Sequence, residues 1–248
     1  MIKKLELIKY LKSIVLILIF FNPFMAFGLI GVESITDNTN RPLKIGIFHG
    51  TFDPIHKGHQ LIASTAIQAA QLDFLLFIPN DQTTYKPGAS SLVDRVHMAN
   101  ILFNEDPKIV VPRIDVEGNM SLHKILQNLK TNNSNIKLIG IIGTDNVFAN
   151  WAEGLFYQEA DKLVDEWLVN RRGSETRDIP QRLQNKPAKE FTSGDGGISS
   201  SAVKKLFFQG QFPNEIDSRL RDFIGQKKLY GYHTTPTPIK SCKLLLQN

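Results

Sequence analysis

A single cysteine in 248 residues, Cys242, excludes an internal disulfide framework and any Cys-rich zinc module. No internal repeat with a period of about 20–50 residues is visible, which excludes solenoids and propellers. The longest uninterrupted apolar run, Ile14–Phe21, falls well short of the roughly 20 residues a membrane span needs, although Phe24–Ile30 extends it past Pro23. A basic excess is also missing from most of the chain. The net charge is +5, but residues 1–28 hold Lys3, Lys4, Lys9 and Lys12 against Glu6, leaving 25 basic and 23 acidic residues over the remaining 220. That balance, with no basic–aromatic array, argues against a nucleic-acid-binding surface. A hydrophobic content of 42% excludes a disordered chain. At roughly 150 residues per domain, this length buries one substantial core with at most a small appendage.

The N-terminus carries a leader. Lys3 to Lys12 is basic, Ile14–Phe21 is apolar, Asn22-Pro23 breaks the run, and Ala26-Phe27-Gly28 places small residues at −3 and −1 of a cut. This is a secretory signal layout, either cleaved or kept as an anchor; a misassigned start or a buried helix are the other readings. Residues 1–28 therefore predict an exported or membrane-tethered protein, with a cytoplasmic location as the alternative. Residues 43–230 are expected to form a separate soluble domain, and residues 231–248, with Thr-Thr-Pro-Thr-Pro, a flexible tail.

Within that domain, apolar strand-like runs alternate with helix-period segments. Lys44–Phe48, Phe74–Ile78, Ile109–Val111 and Lys137–Ile142 read as strands, and a further helix and strand fall within Phe156–Asn170. Gln60, Ser64, Gln68 and Gln71 predict the polar side of one helix, with Leu61, Ile62, Ala66 and Ala69 opposite. Ser91–Phe103 and Ser121–Leu129 are further helices, the first with Ser91 and Asp94 placed as in a capping box. A polar excursion is expected from Gly173 to Lys189, followed by helices over Ser199–Gln209 and Asn214–Gln226. The alternation predicts an α/β fold, a Rossmann-like doubly wound parallel sheet with C-terminal helices, whose ligands sit outside the carboxyl ends of the strands.

The segment Gly50-Thr51-Phe52-Asp53-Pro54-Ile55-His56-Lys57-Gly58-His59 leaves the first strand and enters the first helix. A helix N-terminus offers N–H groups and partial positive charge to a phosphate. Gly50 allows a turn at the strand end, Gly58 allows close approach of a ligand, and His56 and His59 can both donate to phosphate oxygens. Spacing excludes a Walker A loop, since no Gly precedes Lys57 and no Ser or Thr follows it. It also excludes the dinucleotide Gly-x-Gly-x-x-Gly pattern and the His-Glu-x-x-His zinc arrangement. A second segment, Ile198-Ser199-Ser200-Ser201-Ala202-Val203-Lys204-Lys205, puts three hydroxyls at a helix start and cations one turn later, which is either another anion site or an ordinary Ser cap with solvated lysines.

Gly-x-Phe-x-Pro-x-His-x-Gly-His at a first strand–helix turn resembles the motif of the HxGH nucleotidyltransferase superfamily, and within it the bacterial nicotinate-nucleotide adenylyltransferases, over roughly Lys44 to Tyr230. The second segment resembles their Ile-Ser-Ser-Thr-x-x-Arg, with Ser201 in place of Thr and Lys204 in place of Arg; Lys204 keeps the charge but loses the guanidinium fork. The resemblance implies catalytic roles for His56, His59 and Lys204, and ATP contacts from Gly50, Thr51, Phe52, Gly58, Ser199, Ser200 and Ser201. For the acceptor it implies Lys86, Gly143, Asp145, Trp151 and either Arg171 or Arg172, whereas Met120-Ser121-Leu122 departs from the family's Ser-Tyr-Thr. His97 and His123 are expected to be structural, and His49 has no assigned role.

The reading is an enzyme of NAD biosynthesis that joins AMP from ATP to a nicotinate-type mononucleotide and releases pyrophosphate. Mg²⁺ is expected to bridge the phosphates, held by ATP and water rather than by a protein cage. The alternatives are another phosphorylated acceptor, such as nicotinamide mononucleotide, and an exported nucleotide-binding protein of low turnover.

Overall fold

The computed structural model describes residues 41–80, 86, 88–112, 121–148, 161–178, 186–194 and 196–233. The leader, Trp151, residues 118–120 and residues 234–248 lie outside these described residues, whereas Tyr232, expected in the flexible tail, is buried against Phe207 and Phe212 and so belongs to the domain. In chain order the elements are β1 (Leu43–Gly50), α1 (Lys57–Ala70), β2 (Phe74–Pro79), α2 (Leu92–Phe103), β3 (Ile109–Val110), α3 (Leu122–Asn132), β4 (Ile136–Gly143), α4 (Thr144–Phe148), β5 (Glu166–Asn170), β6 (Ala188–Phe191), α5 (Ser200–Phe208) and α6 (Arg221–Gln226). Short 3₁₀ turns at Ser218–Leu220 and Leu229–Gly231 flank α6. Among the described residues no helix is long and apolar enough to cross a membrane.

The six strands lie in the order β3-β2-β1-β4-β5-β6, and every neighbouring pair is parallel. The expected α/β doubly wound sheet is therefore present. Its strands are apolar on both sides because both sides are covered. Phe48, Leu75, Phe77, Ile139, Ile141 and Leu168 enter one core, while Ile45, Ile47, Leu76, Ile78, Leu138, Ile142 and Val169 enter the other. Adjacent residues of a strand face opposite ways, so these continuous apolar runs supply two cores at once. The chain winds outward from β1 to β3 and then returns to lay β4 on the other side of β1. The switch point thus lies between β1 and β4, where a parallel sheet opens a crevice at its carboxyl edge.

Local chemistry sets the helix boundaries. Helix α1 buries Ile62, Ala63, Ala66, Ile67 and Ala70 and ends where Gln71 turns left-handed at φ 52°. Leu61 and Ala69 do not belong to its apolar side as expected; Leu61 is 40% exposed because it lies two turns before Gln68, on the solvent face. Ser91 caps α2 by accepting from the Asp94 amide at 3.0 Å, and its hydroxyl donates back to the Asp94 carboxylate at 2.7 Å. The capping box is therefore closed through the hydroxyl rather than the Ser91 backbone, as suits the shorter Asp side chain.

Two expectations are corrected at the C-terminal side. The polar excursion ends earlier than Lys189, because Ala188–Phe191 is an edge strand paired with β5. Its exposed Lys189 and Glu190 hide the period-2 signal and are typical of a protected sheet edge. The helix over Asn214–Gln226 begins only at the 3₁₀ turn after Asp217, whose carboxylate accepts from the Arg219 amide at 3.0 Å. Upstream, the Glu215 carbonyl accepts from Lys57 N at 2.8 Å, and Ile216 N donates to the Pro213 carbonyl at 3.1 Å, so that stretch is a turn.

Gly140, in the middle of β4, has no room for a side chain: a Cβ there would lie 2.3 Å from the ring of buried Trp167. Gly140→Ala is expected to destabilise the domain by about 1–3 kcal/mol through overpacking, read as a lower denaturant midpoint with an unchanged slope.

Candidate active site

The β1–α1 turn opens at the crevice. The left-handed residue of this turn is Phe52, at φ 50°, and not Gly50 as its sequence position implied. Phe52 is buried and stacks on Phe77 with centroids 4.0 Å apart and planes at 27°. A Cβ on Gly50 would come within 3.1 Å of the Phe52 ring, so Gly50 is there for close packing. Phe52 itself is part of the core, and its edge meets His59 at 4.8 Å.

Behind the turn sits Arg95, a residue that sequence reasoning missed. Its side chain is among the largest that are fully buried. The guanidinium donates to the Ser90 carbonyl at 3.0 Å, to the Thr51 carbonyl at 2.9 Å and to Asn80 Oδ1 at 3.2 Å. It thus ties the end of β1 to the end of β2 and to the start of α2. An arginine among Val96, Met98 and Ala99 on an otherwise apolar helix face was the available signal.

His56 and His59 are brought together as the spacing implied. Their rings stack at 3.6 Å with planes at 19°, His56 is buried, and His59 is partly exposed. The His56 backbone N–H donates to His59 Nδ1 at 3.2 Å. An accepting Nδ1 leaves the proton of the neutral ring on Nε2, the atom free to donate outward. Burial, followed by the positive fields of His56, Arg172 and Lys86, holds the His59 pKa well below that of a free histidine. His59 is therefore a neutral donor inside a cationic environment. His49, one residue before Gly50, is lowered to about 3 by burial and by Arg95.

The second segment folds against the first. Ser199 caps α5 by accepting from the Ala202 amide at 3.2 Å. Ser200 Oγ donates to the Pro54 carbonyl at 3.1 Å, and Lys204 Nζ donates to the buried Asp53 carboxylate. Asp53 also accepts from Ser90 N at 3.2 Å, from the Ser90 hydroxyl and from Tyr230 OH at 2.8 Å. Burial alone would raise the Asp53 pKa, but hydrogen bonds from Lys204, Ser90 and Tyr230 outweigh it and hold the carboxyl below its ordinary value. Ser201 and Lys205 stay on the exposed side of α5.

Across the crevice, Arg172 pairs with Asp145 at 2.7 Å, donates to the Ile198 carbonyl, and donates from its backbone N–H to Thr144 Oγ1 at 3.2 Å. A Cβ on Gly143 would lie 2.4 Å from Asp145 Oδ1, so this glycine makes room for that ion pair. Of the two adjacent arginines, Arg172 is the one that joins the site. Arg171 turns to β6, where it pairs with Glu190, because neighbouring residues leaving a strand face opposite ways. Lys86 is exposed and near enough to His59 to act on it electrostatically. His97 lies on the surface of α2, stacked on Phe223 at 4.6 Å.

The cytidylyltransferase-like family model matches residues 47–206, from within β1 to beyond Lys204. The probable nicotinate-nucleotide adenylyltransferase of Leptospira interrogans is 28% identical over 200 residues, which cover 77% of this chain and 99% of that one. The protein of the same name from Corynebacterium glutamicum is 32% identical over 209 residues, covering 79% and 92% respectively. Among solved structures, the nicotinic acid mononucleotide adenylyltransferase of Plasmodium falciparum complexed with NaAD superposes with a TM-score of 0.62 at 20% identity, covering 77% of this chain and 98% of that one. At that identity the likeness is one of fold.

The lowered histidines carry a pH signature. Between about pH 6.5, where histidines titrate in the unfolded chain, and the folded-state value of about 3 for His49, the unfolded chain binds more protons. Stability is therefore lost as pH falls through this window. His49→Gln is expected to lose less than the wild-type chain between pH 6.5 and 4.5, read as the change in Tm over that roughly two-unit window.

Proposed function

This chain belongs to the cytidylyltransferase-like family, and on that premise we propose that it is an ATP-dependent adenylyltransferase of NAD biosynthesis that transfers AMP to a nicotinate-type mononucleotide. The observation that carries this reading is the docking of the second segment onto the first, through Ser200 on the Pro54 carbonyl and Lys204 on Asp53. It brings the start of α5 beside the His56–His59 pair at the switch point of the sheet, which is a site for one polyphosphate between two helix N-termini.

In the proposed reaction an oxygen of the acceptor's phosphate attacks the α-phosphorus of ATP in line. The new P–O bond forms as the bond from the α-phosphorus to the bridging oxygen breaks, and pyrophosphate leaves with that electron pair. The acceptor is already an anion, so no protein nucleophile or strong base is required, and catalysis rests on positioning and charge stabilisation. His59 donates from Nε2 without adding a charge, and His56 buttresses its ring. Lys204 and Arg172 supply positive charge to the polyphosphate, the hydroxyls of Ser199 and Ser201 are donors to it, Ser200 holds the start of α5 in place through the Pro54 carbonyl, and Thr51 and Gly58 line the approach. Lys86, Gly143 and Asp145 are assigned to the acceptor side, and the sequence resemblance adds Trp151, which lies outside the described residues. Among the described residues no cluster of three His, Cys, Asp or Glu side chains could hold a metal ion, and Asp53 and Asp145 are each engaged by a cation. Mg²⁺ brought in by the phosphates and water would supply further charge neutralisation.

The test is pyrophosphate release from ATP with nicotinate mononucleotide, compared with nicotinamide mononucleotide and with other phosphorylated acceptors. His59→Ala should lower kcat by about 10²–10³-fold while changing the Kd for ATP little. Unchanged turnover in that variant removes His59 from the mechanism. The leader layout supports export or tethering of the same enzyme; N-terminal sequencing of the natural protein after cell fractionation tests this, with an intact Met1 in the cytoplasm as the contrary result.

A further inference from the structure

Asp53 is fixed neither by the Gly-x-Phe-x-Pro-x-His pattern nor by any role given above to a phosphate-binding group. Its side chain is 1% exposed, in a turn three residues beyond the end of β1 whose chemistry is otherwise cationic. A carboxylate there works against anion binding unless something neutralises it. Four donors from three other parts of the fold converge on it. Lys204 of α5 takes Oδ2; the Ser90 amide and hydroxyl, before α2, and the Tyr230 hydroxyl take Oδ1. Tyr230 is itself held, stacked on Phe207 of α5 at 5.4 Å with planes at 29°, and its ring lies 5.4 Å from Lys204 Nζ. The lysine side chain remains 23% exposed, so it is anchored at Asp53 without being sealed from solvent.

An arginine would orient itself on a phosphate by its planar fork, whereas a lysine is a point charge on a flexible stem that must be oriented by its surroundings. We propose that Asp53, set by Ser90 and Tyr230, is a positioning residue that holds the Lys204 ammonium between the two phosphate-binding segments, so that a lysine fills a place suited to a guanidinium. The inference rests on the adenylyl-transfer reading for its kinetic consequence, but not for the geometry it asserts. It also makes the final 3₁₀ turn of the domain part of the site's support, through the Tyr230 hydroxyl.

Two readouts on the full chain separate the clamp from the reaction. The first is acylation of lysines by acetic anhydride, followed peptide by peptide, with exposed Lys205 on the same helix as the internal reference. Lys204 should react several-fold more slowly than Lys205, and this difference should shrink in Asp53→Asn and in Tyr230→Phe. Equal rates in the wild-type chain, or a difference unmoved by both variants, overturn the proposal. The second is a double-mutant cycle on kcat. Asp53→Asn should lower kcat roughly ten- to hundredfold, but should add nothing in a Lys204→Met background. Losses that multiply would mean that Asp53 acts through general structure, and overturn the positioning role. Tyr230→Phe, which keeps the ring on Phe207, carries both readouts if Asp53→Asn does not fold. Absence of pyrophosphate release from the wild-type chain with every acceptor would overturn the adenylyl-transfer reading instead, and the acylation rates would still decide whether Lys204 is clamped.

Discussion

Because helices cover both faces of the sheet, every polar group that is to meet a ligand is confined to the strand ends, and the crevice between β1 and β4 is where those ends diverge. This confinement explains why the polar groups of the site are built mostly from turns. Thr51 to His56 leaves β1, Thr144 and Asp145 open the short helix after β4, and Arg172 follows β5. Turns alone hold geometry poorly, so the fold supplies buried charge to fasten them. The Arg95 guanidinium grips the first turn, and the Asp53 carboxylate within that turn ties it to Lys204, Ser90 and Tyr230. Neither ion is exposed to water, and each is satisfied by several hydrogen bonds, as buried charge requires.

The electrostatic character of the site follows from the same packing. Arg172 and Lys86 act on His59, whose pKa burial holds well below that of a free histidine, so positive potential is available to a polyphosphate without this imidazole having to be protonated. The stacked rings and the His56 N–H to His59 Nδ1 bond fix which nitrogen carries the proton. Orientation is thereby settled before any ligand arrives, which is the preorganisation that charge stabilisation depends on.

Much of this was legible in the amino-acid order, and the rest was not, for reasons that differ residue by residue. Strands β1, β2 and β4 and helix α1 are long and strongly patterned, so periodicity located them, and the two-His, two-Gly turn marked the site. Strand β6 escaped notice because an edge strand of four residues with charges at two of them has no alternation to detect. The late start of α6 depends on a bond from Lys57 to Glu215, between residues far apart in the chain. Arg171 and Arg172 are indistinguishable in sequence, and only the direction in which the chain leaves β5 separates them. Asp53 lay in plain view inside the motif, yet its importance comes from Ser90, Lys204 and Tyr230, which no local pattern links to it.

The bonds from Lys57 N to the Glu215 carbonyl and from Gln60 to Asp217 fasten the opening of the first helix to residues near the far end of the domain. On a ribosome the β1–α1 turn emerges early and its fasteners emerge last. The nascent chain therefore carries a half-built anion cradle until Glu215 and Asp217, the latter 157 positions after Gln60, have left the exit tunnel.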